Sequence, residues 1–102
     1  MPQFTPMFTW LNKQGVQSSE GYTLQSMHRF YYHYIEGDHR LQVNVEPFTD
    51  DKDRYSEGVY LDSLKQWLPP HEKEPISPER REEIQGRISA ALKFMNIEHS
   101  FE

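Results

Sequence analysis

The chain has 102 residues, no cysteine and a formal net charge of −5 at neutral pH. That length suits one domain spanning residues 1–102 with a single modest core. The missing thiols exclude disulfides, thiol catalysis, iron–sulfur clusters and the common structural zinc sites, and the acidic balance argues against general nucleic-acid binding and against anionic membranes.

Hydrophobic content is low at 35%, but six Phe, six Tyr and two Trp supply area for a core. Residues 1–6 are expected to be flexible. The opening MPQFTPMFTW has no charged start followed by an apolar run, so no secretory signal is expected. No segment reaches the ~20 apolar residues of a membrane span. The expectation is a soluble cytoplasmic protein.

Phe8 to Leu11 reads as a short strand, ended by Asn12-Lys13-Gln14-Gly15. Val16 to Ser19 is a weak strand candidate, Glu20-Gly21 a turn, and Tyr22 to Gln25 another strand. The clearest element follows. RFYYHYIE, Gly37-Asp38 and HRLQVNVE read as a β-hairpin, with Gly first in a two-residue II′ loop. Pairing Glu36 with His39 puts Phe30, Tyr32, Tyr34, Leu41, Val43 and Val45 on one face. Tyr31, His33, Ile35, Arg40, Gln42 and Asn44 take the other. Side chains alternate with period two, so a slip by one residue would mix the two sets.

Pro47 is expected to end the second hairpin strand. Phe48 to Glu57 then reads as an acidic mobile loop, and Gly58 to Leu61 as a strand. Asp62-Ser63 is a candidate cap for a short helical turn, DSLKQW, before Leu68-Pro69-Pro70. A helix is expected from Ser77, with Ser as N-cap, Pro78 at the first position and Glu79 against the dipole. Ile84, Ile88, Ala91, Leu92 and Met95 make one helix face. Gly86 suggests a close helix–sheet approach. Asn96 can stop the helix in the left-handed conformation. Ile97 to Glu102 reads as a terminal strand with Ile97, His99 and Phe101 on one side.

The order implies an α+β fold. About four to six antiparallel strands form a sheet, and one main C-terminal helix packs on one face, followed by a terminal strand.

Little here points to catalysis, since nucleotide loops, nucleophile elbows and zinc-protease motifs are missing. Tyr31, His33 and Arg40 could form an acid–base or anion-binding group on the outer hairpin face. A solvated or covered sheet face explains them more simply. His28, His39, His71 and His99 have no metal-like spacing, so no metal is assigned. TDDKDRYSEG offers three aspartates, but the Gly and terminal Glu of a calcium loop are out of register, so no cofactor is assigned either. Trp67 is either a recognition anchor or the core residue of a corner stiffened by Pro69 and Pro70.

The C-terminal half runs GVYLDSLKQW, then LPPHEKEPIS, then ERREEIQGRISAALKFMNIEHSF. Its Trp-x-Pro-Pro step (Trp67, Pro69, Pro70), charged "PIS" approach and helix pattern Ile84, Ile88, Ala91, Leu92, Phe94 resemble immunity proteins of bacterial polymorphic toxin systems. The upstream hairpin YYHYIEGDHRLQV is also similar, so the likeness covers Phe30 to Phe101. It implies a non-enzymatic α+β protein that binds and neutralises a toxin made by the same cell. An acidic surface covering a basic toxin site would suit that role. The candidate partner contacts are Asp50, Asp51, Asp53, Tyr55 and Glu57, followed by Trp67 and His71. The alternatives are a homodimeric structural or regulatory domain, and a small enzyme using His33 and Tyr31.

Overall fold

The computed structural model describes residues 7–102. The expected flexible lead-in, residues 1–6, lies outside the described residues. Among the described residues, seven strands form a sheet in the order β1 to β7, with one long helix. They are β1 (Phe8–Asn12), β2 (Gly15–Ser18), β3 (Thr23–His28), β4 (Tyr31–Glu36), β5 (His39–Thr49), β6 (Tyr55–Val59) and β7 (His99–Phe101). The α+β architecture matches the sequence reading, with more strands than the four to six expected. Neighbours pair antiparallel, except that β7 runs parallel to β6. A short 3₁₀ turn (Leu61–Lys65) and helix α1 (Pro78–Phe94) make the crossover between them. Parallel neighbours need such a crossover.

The hairpin register is as read: Glu36 faces His39, Ile35 faces Arg40, Tyr34 faces Leu41 and Tyr32 faces Val43. Gly37 has φ of 61°, as a II′ turn requires at its first central position. Phe30 is a correction. Strand β4 begins one residue later, so Phe30 sits in the turn before it and is 48% exposed. Only its backbone joins the ladder, accepting the Val45 N–H at 2.9 Å.

Pro47 does not end β5, which is the second correction. The strand runs on to Thr49 and pairs with β6, Pro47 opposite Glu57. Val45 N–H points toward β4, and Pro47, two residues on, points the same way past the start of that strand. Its missing donor therefore costs no ladder bond. Strand β5 pairs with β4 through its first half and with β6 through its second.

The first half of β5 consequently has an unpaired edge on the β6 side. The segment after β6 covers it. Asn44 N donates to Ser63 Oγ at 3.0 Å, Tyr60 N to Asn44 O at 2.9 Å, and Leu68 N to Arg40 O at 2.7 Å. Buried or covered backbone groups must find such partners. The 3₁₀ turn is the predicted helical turn, but its N-cap is Tyr60, with no side-chain cap from Asp62 or Ser63. Trp67 closes this strap and is 6% exposed, so it belongs to the core. The Pro69–Pro70 bond is cis.

Helix α1 starts as expected, Ser77 Oγ accepting the Arg80 N–H at 3.1 Å with Pro78 in the first turn. Ile84, Ile88, Ala91 and Leu92 are buried against Tyr22, Leu24, Tyr34, Leu41, Val43 and Val59. Asn96 stops the helix at φ of 61°. Gly86 is exposed, and a methyl group there would meet no atom within 4 Å. The close approach suggested by the sequence does not exist. Helix and sheet are tied by Glu36, which accepts from Tyr34 Oη at 2.7 Å, from Arg87 Nη1 at 2.8 Å and from Arg80. Burial raises the Glu36 carboxyl, but these hydrogen bonds and charges win and hold it below the usual carboxylate range.

Candidate functional site

The antiparallel order sends several connections to one end of the sheet. The β1–β2, β3–β4 and β5–β6 turns meet there, with the end of α1 and the start of β7. A cleft of about 390 Å³ opens among them, lined by residues including Trp10, Lys13, Arg29, Tyr32, Tyr55 and Glu57. At its base Glu57 is 5% exposed. Tyr32 Oη donates to Oε1 at 2.8 Å and Tyr55 Oη to Oε2 at 2.5 Å. A buried carboxylate needs such donors, because desolvation of an unpaired charge is costly. Burial, then the Glu57 hydrogen bond and charge, push the Tyr55 hydroxyl up to about 12. Burial and the same carboxylate raise Tyr32 further still. Both phenols therefore stay protonated as donors at neutral pH.

Exposed aromatic side chains gather at this end of the sheet, Trp10 and Tyr55 among them in the cleft wall. Trp10, Phe30, Phe48 and Tyr55 are all exposed large side chains. Trp10 leans on Phe94 at 5.7 Å between ring centroids, and Phe94 stacks on Phe8 at 5.2 Å. The Arg29 guanidinium lies 5.2 Å from the Phe30 ring centroid. Exposed Trp, Tyr and Phe beside an Arg are the chemistry enriched in protein–protein contacts.

The candidates from sequence divide between the two ends of the sheet. Asp50, Asp51, Asp53, Tyr55 and Glu57 lie at the cleft end. Three of them differ from the expected mobile loop, since Tyr55 also lies in β6. Glu57 lies in β6 and is buried, because the turn is only as long as the chain between Thr49 and Tyr55. Asp50 shapes the turn: Oδ1 accepts from Lys52 N at 2.8 Å and Arg54 N at 2.9 Å, and Oδ2 from Arg54 Nε at 2.7 Å. Asp51 and Asp53 are exposed, Asp53 at φ of 60°. Trp67 and His71 lie at the opposite end, where Trp67 is buried. Trp10 and Phe30, exposed at the cleft end, were not among the candidates from sequence, Phe30 because alternation alone placed it inside.

The outer hairpin face carries Tyr31 and His33 with ring centroids 5.8 Å apart and no hydrogen bond between them. Burial, and then Arg40, hold the His33 imidazole below its ordinary range.

The family model described as Immunity protein 74 matches residues 26–102. The chain belongs to the Immunity protein 74 family. No curated protein and no solved structure matches it. The family implies a toxin protein as partner. The matched span holds Phe30, Tyr32, the β5–β6 turn and Glu57, whereas β1 with Trp10 precedes it. No helix among the described residues is long and apolar enough to cross a membrane.

The other end of this immunity-family fold gathers four titratable side chains. Asp38 Oδ1 lies 2.9 Å from His39 Nδ1, and Oδ2 lies 3.5 Å from His71 Nε2. Glu74 meets the far nitrogens, Oε1 at 3.0 Å from His39 Nε2 and Oε2 hydrogen-bonded to His71 Nδ1. The two imidazoles stack with centroids 3.7 Å apart, and His39 packs edge-on against Trp67 at 5.0 Å. Histidine spacing does not reveal this cluster, because the fold joins His39 to Glu74 across 35 positions of chain.

Proposed function

We propose that the protein neutralises a cognate toxin domain by occlusion, without catalysis of its own, in the bacterial cytoplasm. The observation that carries the reading is the exposed aromatic pair Trp10 and Tyr55 in the wall of the Glu57 cleft, with Phe30 and Phe48 exposed at the same end of the sheet, in a member of an immunity family. The aromatics supply desolvated contact area. The net charge of −5 and the exposed carboxylates of Asp51 and Asp53 suit a basic toxin surface and speed docking on it.

The test begins with co-purification of the tagged protein from its native bacterium and mass spectrometry of what accompanies it. With the toxin in hand, Asp51→Asn/Asp53→Asn should slow association and flatten its salt dependence. Asn tolerates the left-handed backbone of position 53, so the loop should keep its shape. Trp10→Ala and Tyr55→Ala should speed dissociation. Toxin binding that survives all four substitutions would place the interface elsewhere.

A second reading is a homodimer formed through β1, an edge strand with exposed Trp10 and Leu11. Sedimentation separates the two, since a monomer at tens of micromolar removes the dimer.

A further inference from the structure

We infer that Asp38, His39 and His71 form a binding site for a divalent transition metal of the zinc class, with Glu74 orienting both imidazoles. The argument starts from donor counting. Four nitrogen–carboxylate contacts link two imidazoles to two carboxylates. A neutral imidazole has one N–H and one lone pair. Two neutral rings can therefore satisfy only two of the four contacts. The other two would set a nitrogen lone pair against a carboxylate oxygen. One added proton on His39 would satisfy its contacts at 2.9 and 3.0 Å and leave the His71 Nε2 lone pair 3.5 Å from Asp38, whereas protonating both rings would stack two cations face to face at 3.7 Å.

A metal ion can take the place of that proton and use the lone pairs of both rings. Each ring gives its N–H to Glu74, His39 through Nε2 and His71 through Nδ1. The lone pairs of His39 Nδ1 and His71 Nε2 then point to the Asp38 side. One ligand atom from each of Asp38, His39 and His71 lies within 4.8 Å of the others, so small side-chain rotations suffice to close around one ion. A carboxylate that accepts the far N–H of a ligating histidine is the arrangement that fixes tautomer and raises ligand basicity. Two imidazoles and one carboxylate suit zinc-class metals, with a fourth position left for water or a partner's side chain.

The supports are firm. His39 opens β5, and its ring is braced by Trp67. His71 and Glu74 are held by successive turns, His71 N–H to Leu68 O and Glu74 N–H to His71 O, both at 3.0 Å. The histidine side chains are 26% and 19% exposed, so an ion can enter from solvent without unfolding.

The experiment uses tag-free, chelator-stripped full-length protein. Zinc is titrated by calorimetry, and cobalt(II) is followed by its visible absorption. The expected result is one ion per chain, cobalt bands of a four- or five-coordinate site, and a melting temperature that rises with zinc. Glu74→Gln should keep the stoichiometry and weaken affinity by about 10–100-fold. His71→Ala, with a native circular dichroism spectrum, should lose saturable binding. No saturable binding in the wild type, or binding that His71→Ala leaves unchanged, overturns the assignment and leaves a surface ion-pair cluster.

Discussion

Tyr32→Phe deletes one hydroxyl and leaves the ring that packs in the core. That hydroxyl serves a carboxylate only 5% exposed, and Tyr32 itself is 4% exposed. A hydrogen bond to a charged acceptor contributes about 1.5–3 kcal/mol, and its loss leaves a buried charge short of a donor. For a domain of this size each kcal/mol moves the melting temperature by about 4–8 °C. A fall of about 6–24 °C is therefore expected, within the total stability of about 5–15 kcal/mol that a small domain has. Urea melts of wild type, Tyr32→Phe, Glu57→Gln and the double variant give the coupling between the two groups. Neighbours of this kind couple by about 0.5–3 kcal/mol, so the double variant should lose less than the sum of the singles. A Tyr32→Phe loss below about 0.5 kcal/mol, with additive singles, would mean that water in the cleft solvates Glu57 and that the phenol does not hold it.

Trp67→Ala should cost about 3–5 kcal/mol in the same melts, as truncation of a buried Trp does; a loss under about 1 kcal/mol would show that the strap does not depend on it. Gly86→Ala should stabilise by about 1 kcal/mol, since the site is helical, exposed and open; a loss of stability would mean that the helix packs closely there after all. Ultraviolet titration should find Tyr55 ionising near pH 12. Its folded value lies above the ordinary 10.0, so its contribution is intact below pH 10 and is lost as pH rises toward 12. Glu57→Gln should bring the Tyr55 midpoint down toward 10; an unmoved midpoint would assign the shift to burial alone.

What was legible in the sequence was local. Gly37-Asp38 set the turn, and alternation then fixed the facing of Tyr32, Tyr34, Leu41 and Val43. Ser77-Pro78 and Asn96 bracketed the helix, and its four-residue spacing picked the buried stripe. The misreadings needed the third dimension. Pro47 looked like a stop, because the direction of its missing N–H depends on where β4 begins. Glu57 looked like loop charge, because its donors Tyr32 and Tyr55 come from different strands. Strand β7 gave no hint of parallel pairing. The acidic turn and Tyr55 could be named as candidates from the sequence, but the exposed aromatics beside them could not, since Trp10 lies in β1 and Phe30 in the β3–β4 turn, brought to one end by the sheet order.

The same geometry makes the two candidate regions separable. Strand β5 runs from His39 at the metal cluster to Thr49 at the cleft end. At about 3.3 Å per residue its 11 residues put the ends roughly 30 Å or more apart. Sites that far apart with no shared partner act additively, to within about 0.3–0.5 kcal/mol. Tyr55→Ala should therefore leave zinc affinity unchanged, and His71→Ala should leave toxin affinity unchanged unless the toxin supplies the open metal position. In that last case zinc and toxin must each strengthen the other's binding by the same factor, because coupling between two ligands is reciprocal. A toxin titration with and without zinc reads that factor. A value of one keeps the metal site structural, and a value well above one would put the toxin's contact at the Asp38 end and overturn the cleft as the sole interface.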